Sequence, residues 1–112
     1  SGTYALGGAI TGIDVSVKFS RIGRTVNLMW MSLSKATGAN LSIYTAGGQV
    51  PARYVPASDA YGHAIVMDNN VMATGSVIVK MDGSIQWNYG VGAFTNAGSA
   101  GLYKGSITYQ LV

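Results

Sequence analysis

The chain has 112 residues, of which 48% are apolar and only 10% charged, with a net charge of +3 and no cysteine. That length holds one domain and one core, and the absence of cysteine excludes disulfides, thiolate catalysis and zinc sites of the Cys type. An ordinary globular domain is roughly 25% charged, and a small domain has proportionally more surface to keep soluble. Scarce charge therefore predicts that part of this surface is covered by further copies of the chain.

Ser1-Gly2 lacks the apolar stretch of a signal peptide. Residues 1–12 are expected to be a linker, or a remnant of cloning, ahead of a domain over 13–112; the segment reads as cut from a longer protein, with a natural C-terminal end. No stretch sustains a 3.6-residue apolar period, and sixteen glycines argue against helix interiors. Period-two alternation recurs instead. Ile13, Val15, Val17 and Phe19 share a face, with Asp14, Ser16 and Lys18 on the other, and a turn follows at Arg21-Ile22-Gly23-Arg24. In Thr25 to Leu33, Val26, Leu28 and Trp30 face one way while Met29, Met31 and Leu33 face the other. A strand apolar on both faces is covered on both.

Ser34 to Asn40 reads as a loop and Leu41 to Thr45 as a short strand ending at Gly47-Gly48. Pro51 and Pro56 confine the stretch between them to an edge or loop. His63 to Met67 and Val71 to Ala73 flank a tight turn at Asp68-Asn69-Asn70. Ser76 to Met81 and Ser84 to Trp87 flank Asp82-Gly83, the strongest hairpin signal in the chain. A glycine-rich loop is expected from Gly90 to Ala100. In the closing strand, Gly101 to Leu111, the residues Tyr103, Gly105, Ile107, Tyr109 and Leu111 share a face. Seven or eight short strands at this spacing define an all-β sandwich or jelly roll.

Membrane insertion is not expected: the longest apolar runs, Val26 to Leu33 and Ser76 to Met81, fall far short of the ~18–20 residues of a membrane helix. A membrane barrel needs more chain. Nor is nucleic acid an expected partner. Lys18, Arg21, Arg24, Lys35, Arg53, Lys80 and Lys104 are scattered, whereas phosphate neutralisation wants a cluster.

Several short pieces in order carry a family resemblance. The succession Val17 to Leu28, including Phe19-Ser20-Arg21-Ile22-Gly23-Arg24, resembles the opening strands of fibre-head domains with the C1q and tumour-necrosis-factor jelly roll. The stretch Val50-Pro51-Ala52-Arg53-Tyr54-Val55-Pro56 is similar to a connection in phage tail-fibre tips. The Val77 to Ile85 hairpin and the ending Phe94 to Tyr109 resemble their later strands. The resemblance covers roughly residues 13–112. It implies a jelly-roll-like β-sandwich forming a homotrimeric fibre head at a cell surface or virion fibre tip, outside the cell, whose loops or grooves touch a receptor that is often a glycan. Residues 1–12 would then be the end of the fibre shaft. The family shares no set of binding residues to carry over.

The candidates for chemistry are few. His63 is the only histidine, Asp59 and Asp68 are its nearest acids in sequence, and no Gly-x-Ser-x-Gly elbow is present. His63 and Asp68, five apart on a strand, point to opposite faces. Of the four acids, Asp14 lies on the polar side of a strand and Asp68 and Asp82 lie in turns; glycoside hydrolysis needs a pair of carboxylates. No enzyme activity, cofactor or resident metal is expected, although a three-fold axis would be able to gather three copies of His63. Gly7-Gly8 and Gly47-Gly48 precede no helix, so they read as turns and close backbone approaches, not phosphate cradles. Trp30, Tyr103 and Tyr109 read as structural.

The candidate ligand site is Trp87, Asn88 and Tyr89, with Asp59, Tyr61 and His63. Aromatic faces stack on the C–H faces of a sugar while planar polar groups meet its hydroxyls. Trp87 equally fits the core, in phase with Ile85. The expected function is a receptor-binding or adhesin tip, weak per site and reinforced by three-fold avidity, with the second faces of the Val26–Leu33 and C-terminal strands forming the three-fold interface. The alternatives are a trimerisation cap without a ligand and a soluble cytokine-like ligand for a protein receptor.

Overall fold

A computed structural model describes residues 2–36, 42–90, 92, 94 and 99–111. Among these lie ten strands: β1 (Gly2–Gly8), β2 (Asp14–Ile22), β3 (Thr25–Trp30), β4 (Leu33–Ala36), β5 (Ser42–Thr45), β6 (Ala60–Asp68), β7 (Val71–Val79), β8 (Ile85–Tyr89), β9 (Ser99–Leu102) and β10 (Gly105–Gln110). A single 3-10 turn, Ala52–Tyr54, is the only helical piece among the described residues. The strands form one sheet in the order β10-β3-β2-β1-β5-β8-β7-β6-β9-β4, with antiparallel pairing between neighbours. The all-β expectation holds.

The sheet curls over into a half-barrel, and β1 is the fold line. Its first half, Gly2 to Ala5, pairs with β2, and its second half, Leu6 to Gly8, pairs with β5. The two layers so formed turn their apolar faces to one another. Val15, Val17, Val26 and Leu28 come from one side and Ile43, Val66, Val77 and Ile85 from the other, all buried. Trp30 of β3 meets Trp87 of β8 edge to face, with ring centroids 5.7 Å apart at 71°. Such a contact adds about 0.5–1.5 kcal/mol beyond the area it buries. At the open side of the barrel Ile107 of β10 lies over Gly62 of β6, where an added Cβ would come within 3.0 Å of its Cδ1.

The turns follow their residues. Ile22 pairs with Thr25 across Gly23-Arg24, and Gly23 has φ +59°. Asp68 pairs with Val71 across Asn69 and Asn70, with φ of 50° and 64°. Positive φ at both central positions defines a type I′ turn, in which asparagine is favoured. Asp82-Gly83 does lie in a hairpin connection, but in a longer one: β7 ends at Val79 and β8 begins at Ile85. The Asp82 carboxylate accepts from the Ser84 backbone N–H at 2.9 Å and the Ser84 hydroxyl at 2.6 Å.

Several expectations are corrected. Residues 2–10 are part of the folded unit, not a linker before it: β1 lies within the sheet, and Tyr4, Leu6, Ala9 and Ile10 are buried. The Thr25–Leu33 strand stops at Trp30: the Met31 N–H still bonds the Ser16 carbonyl in register with β2 at 3.1 Å, but on the other side the Lys104 N–H goes to the Ser32 hydroxyl at 2.8 Å and not to the backbone of β3. Leu33–Ala36, expected to begin a loop, then forms β4 against β9; residues 37–40 lie outside the described residues, as does Leu41 at the start of the expected β5. The closing strand is two strands, broken at Tyr103-Lys104. Tyr103 is exposed, so it does not share the inner face of Ile107 and Tyr109. The outer face of β10 carries Ser106, Thr108 and Gln110, all exposed and polar, so that strand has no apolar second face to offer a neighbour. The expected loop from Gly90 to Ala100 is described only at Gly90, Gly92, Phe94 and the start of β9.

Candidate functional site

The outer face of β6, β7, β8 and β5 gathers most of the chemistry the fold leaves in solvent. Register places Tyr61 opposite Ile78, Ile78 opposite Gln86, Gln86 opposite Tyr44 and Tyr44 opposite Gly7. The next row runs His63, Ser76, Asn88 and Ser42. Neighbouring strands stand about 4.8 Å apart, so Tyr61 and Tyr44 are about 14 Å apart across three strand spacings. Alternation explains why these residues take the outer phase, in which Ser42 alone is buried. Ala64, Val66, Val77, Val79, Ile85 and Ile43 occupy the opposite phase and are buried.

Side-chain hydrogen bonds tie the two rows together. Gln86 Nε2 donates to Asn88 Oδ1 at 2.8 Å, and Asn88 Nδ2 donates to Ser76 Oγ at 3.3 Å. The amides are therefore held in place between the tyrosines. Tyr61 is 72% exposed and Tyr44 42%. The two rows contain no lysine, arginine or carboxylate.

Tyr44 has an unusual seat. An added Cβ at Gly7 would come within 2.8 Å of its Cε1, and one at Gly8 within 2.8 Å of its Cε2. Adjacent Cβ positions are too close together for a ring to stand edge-on between them. Opposite edges of one ring approach both only if its plane lies across the two glycines. The ring thus rests with one face on the Gly7-Gly8 backbone.

The sequence candidates divide. Trp87 is fully buried, in phase with Ile85 as its core alternative required, and its Nε1 has no hydrogen-bond partner among the described residues. Tyr89 shares that inner phase and stacks on Phe94 at 5.6 Å. Trp87 is a core residue in this fold, which corrects its place in the ligand site, while Tyr89 is half-buried against Phe94. Asp59 accepts from the Met81 N–H at 3.0 Å and so clips the β7–β8 connection. Asn88, Tyr61 and His63 are brought together on the outer face. His63 and Asp68 do lie on opposite faces of β6, one exposed and the other buried. Among the described residues no group of three or more His, Asp or Glu lies placed to hold a metal.

Tyr44, Gln86, Ser76 and Ile78 were not singled out by sequence. The signal available was Tyr44 alternating with buried Ile43 and Thr45, and a double glycine awaiting something to approach it.

The same face changes character toward its other end. Met67 pairs with Met72 and Ile65 with Thr74, and the Tyr103 N–H donates to the Ile65 carbonyl at 2.9 Å. Ile65, Met72, Ala73, Thr74 and Tyr103 surround an open depression of about 380 Å³. A smaller one of about 180 Å³ sits at the barrel's open side, lined by Trp30, His63, Ile65 and Gly105 among others.

The displaced titrations belong to the framework. Burial pushes the Tyr109 hydroxyl well above the ordinary tyrosine range, with the neighbouring Tyr4 adding to the effect, and this hydroxyl donates to the Tyr54 carbonyl at 2.8 Å. Burial raises Tyr4 as well, against an opposing pull from Arg53. The Ser84 hydrogen bonds hold Asp82 below its usual value.

No model of a known protein family matches the chain, and no curated protein is significantly similar to it.

Proposed function

We propose that the chain is the receptor-binding tip of a homotrimeric fibre, a jelly-roll-like head that recognises a cell-surface glycan at a cell or virion surface. The observation that carries this reading is the outer face of β5–β8–β7–β6. Two exposed tyrosines flank amides already hydrogen-bonded to each other, in two rows without lysine, arginine or carboxylate. The core does not require Tyr61 outside, and exposed aromatics beside positioned polar groups are a recognition surface. Catalysis finds less support, because the single histidine has no acid on its own face of β6.

Assembly is supported by what else is exposed. Among the described residues ten large hydrophobics stand in solvent, Met29, Met31, Ile65, Met72 and Tyr103 among them, on a chain with only 10% charge. The Ile65–Met72–Tyr103 end is the better candidate for a subunit contact than the polar outer face of β10. Avidity across three copies then multiplies a weak site.

The test is binding of the labelled chain to a glycan array and to intact cells, with and without periodate oxidation of their sugars. Saturable, periodate-sensitive binding is expected. Trimers that bind neither would favour the trimerisation cap, a reading the exposed apolar end supports by itself. Binding to cells that survives periodate but not protease would point to a protein receptor.

A further inference from the structure

The seat of Tyr44 allows the site to be narrowed. We infer that the Tyr44 ring, laid on Gly7-Gly8, is the stacking platform of a sugar subsite for a neutral pyranose, with Gln86 and Asn88 as its hydrogen-bonding side. This rests on the glycan-binding reading above and specifies where and how the sugar sits.

An exposed tyrosine on a sheet ordinarily has rotamer freedom, which binding must remove. Here one ring face is already committed to backbone. The two residues beneath it are glycines; a methyl group at Gly7 would strike the Tyr44 ring first, and one at Gly8 would strike the Ser42 carbonyl oxygen and then the ring. The opposite face is left to solvent, in keeping with 42% exposure. Covering a glycine with an aromatic ring is a known way to stabilise a strand, and that alone would explain the contact. It does not explain what stands beside the ring. Gln86 is its direct cross-strand neighbour, and Gln86 Nε2 is directed to Asn88 Oδ1 at 2.8 Å. That bond leaves the Gln86 carbonyl oxygen and the second hydrogens of both amides to meet a ligand, which suits hydroxyls that both donate and accept.

The ligand's class follows from the face. A flat aromatic needs a sugar face of axial C–H bonds, which gluco- and galacto-configured rings provide. The residues beside the Tyr44 ring are Gln86, Asn88 and Ser42, none of them charged, so nothing next to it would neutralise a uronic acid, sialic acid or phosphate. Tyr61 lies about 14 Å away along the row, three strand spacings, a distance that about three linked pyranoses span. The subsite therefore suits a short stretch of a linear neutral glycan running across the strands.

The experiment titrates the full chain with cellotetraose, chitotetraose and β-1,4-galactotetraose, reading calorimetry and the tyrosine ring signals in NMR. At least one is expected to bind and to shift the Tyr44 ring. Tyr44→Ala should weaken that binding about tenfold or more, and Tyr44→Phe should stay within about twofold, since the ring and not the hydroxyl stacks. Gly7→Ala is the decisive variant should Tyr44→Ala fail to fold. Its new methyl comes nearest to the Tyr44 side chain, within 2.8 Å of Cε1, so it should tilt the platform and weaken binding without touching the ligand. Wild-type binding that both Tyr44→Ala and Gly7→Ala leave unchanged overturns the platform and leaves the glycan-binding reading standing. A wild-type chain that binds none of these and no glycan on an array overturns both.

Discussion

Replacing Trp87 by alanine separates a packing residue from a ligand-binding one. Its side chain is fully buried and reaches across the half-barrel to Trp30. Truncating a core tryptophan costs about 3–5 kcal/mol. One feature offsets part of this: Nε1 has no partner among the described residues, and a buried unpaired donor costs about 1–3 kcal/mol that the alanine no longer bears. At the midpoints the net loss is about 2 kcal/mol. Against a total stability of about 5–15 kcal/mol that is a large share, and at about 4 °C per kcal/mol for a chain of this size it lowers Tm by about 8 °C. Trp87→Phe keeps a ring in the core and removes the unpaired donor, so it should lose less than about 1.5 kcal/mol. Thermal and urea unfolding followed by near-ultraviolet circular dichroism, with Trp30 fluorescence as a second probe, measures both. A Trp87→Ala protein melting within about 3 °C of wild type would refute the reasoning. So would one that stays fully folded and loses only its ligand.

Gly83→Ala should cost about 2 kcal/mol or more in urea melts, since a left-handed residue is strained by ~1–2 kcal/mol. Gly83 has φ +84°, and its new methyl would come within 2.9 Å of the Gly48 backbone nitrogen. Full stability in that variant would contradict the close packing of this turn on Gly48, whose N–H donates to the Asp82 carbonyl at 2.8 Å. The raised Tyr109 hydroxyl gives a pH dependence with a definite sign. Its stabilising contribution is fully present below the ordinary tyrosine value of about 10 and is lost as pH rises beyond it, because the unfolded chain then releases a proton the folded one keeps. Urea midpoints should be flat in this respect up to about pH 9 and fall above pH 10, with the fall reduced in Tyr109→Phe. That variant should also lose about 1 kcal/mol near neutrality with its bond to Tyr54. An equally steep alkaline fall in the variant would assign the effect to another group.

How much of this was legible in the sequence depended on whether a neighbour was needed to see it. The turns at Gly23, Asn69-Asn70 and Asp82-Gly83 are local, set by residues that tolerate positive φ, and they were legible. The inward phase of Trp87 was legible as one of two readings, because Ile85 fixes which face of β8 is apolar. The membership of residues 2–10 was obscured: Tyr4 and Leu6 alternate inward, but glycines surround them, and only pairing to β2 and β5 reveals the strand. The break after Trp30 falls where Lys104, remote in sequence, bonds the Ser32 hydroxyl. Gly7-Gly8 was rightly read as a place of close approach. What approaches is Tyr44, thirty-six residues or more away along the chain, and no local pattern names it. The candidate site was thus half legible: Asn88, Tyr61 and His63 belong to the outer face, while Trp87 and Tyr89 turn inward and Tyr44 and Gln86 take their place.

The central claim is that the chain works as an assembled tip, its apolar end covered by other copies and its tyrosine face left open. Absolute mass in solution, by light scattering on a sizing column at micromolar concentration, tests it most directly. Three chains per particle is the predicted result. A monomer at those concentrations would contradict the claim, since the exposed Ile65, Met72 and Tyr103 would then stand in water on a chain with 10% charge.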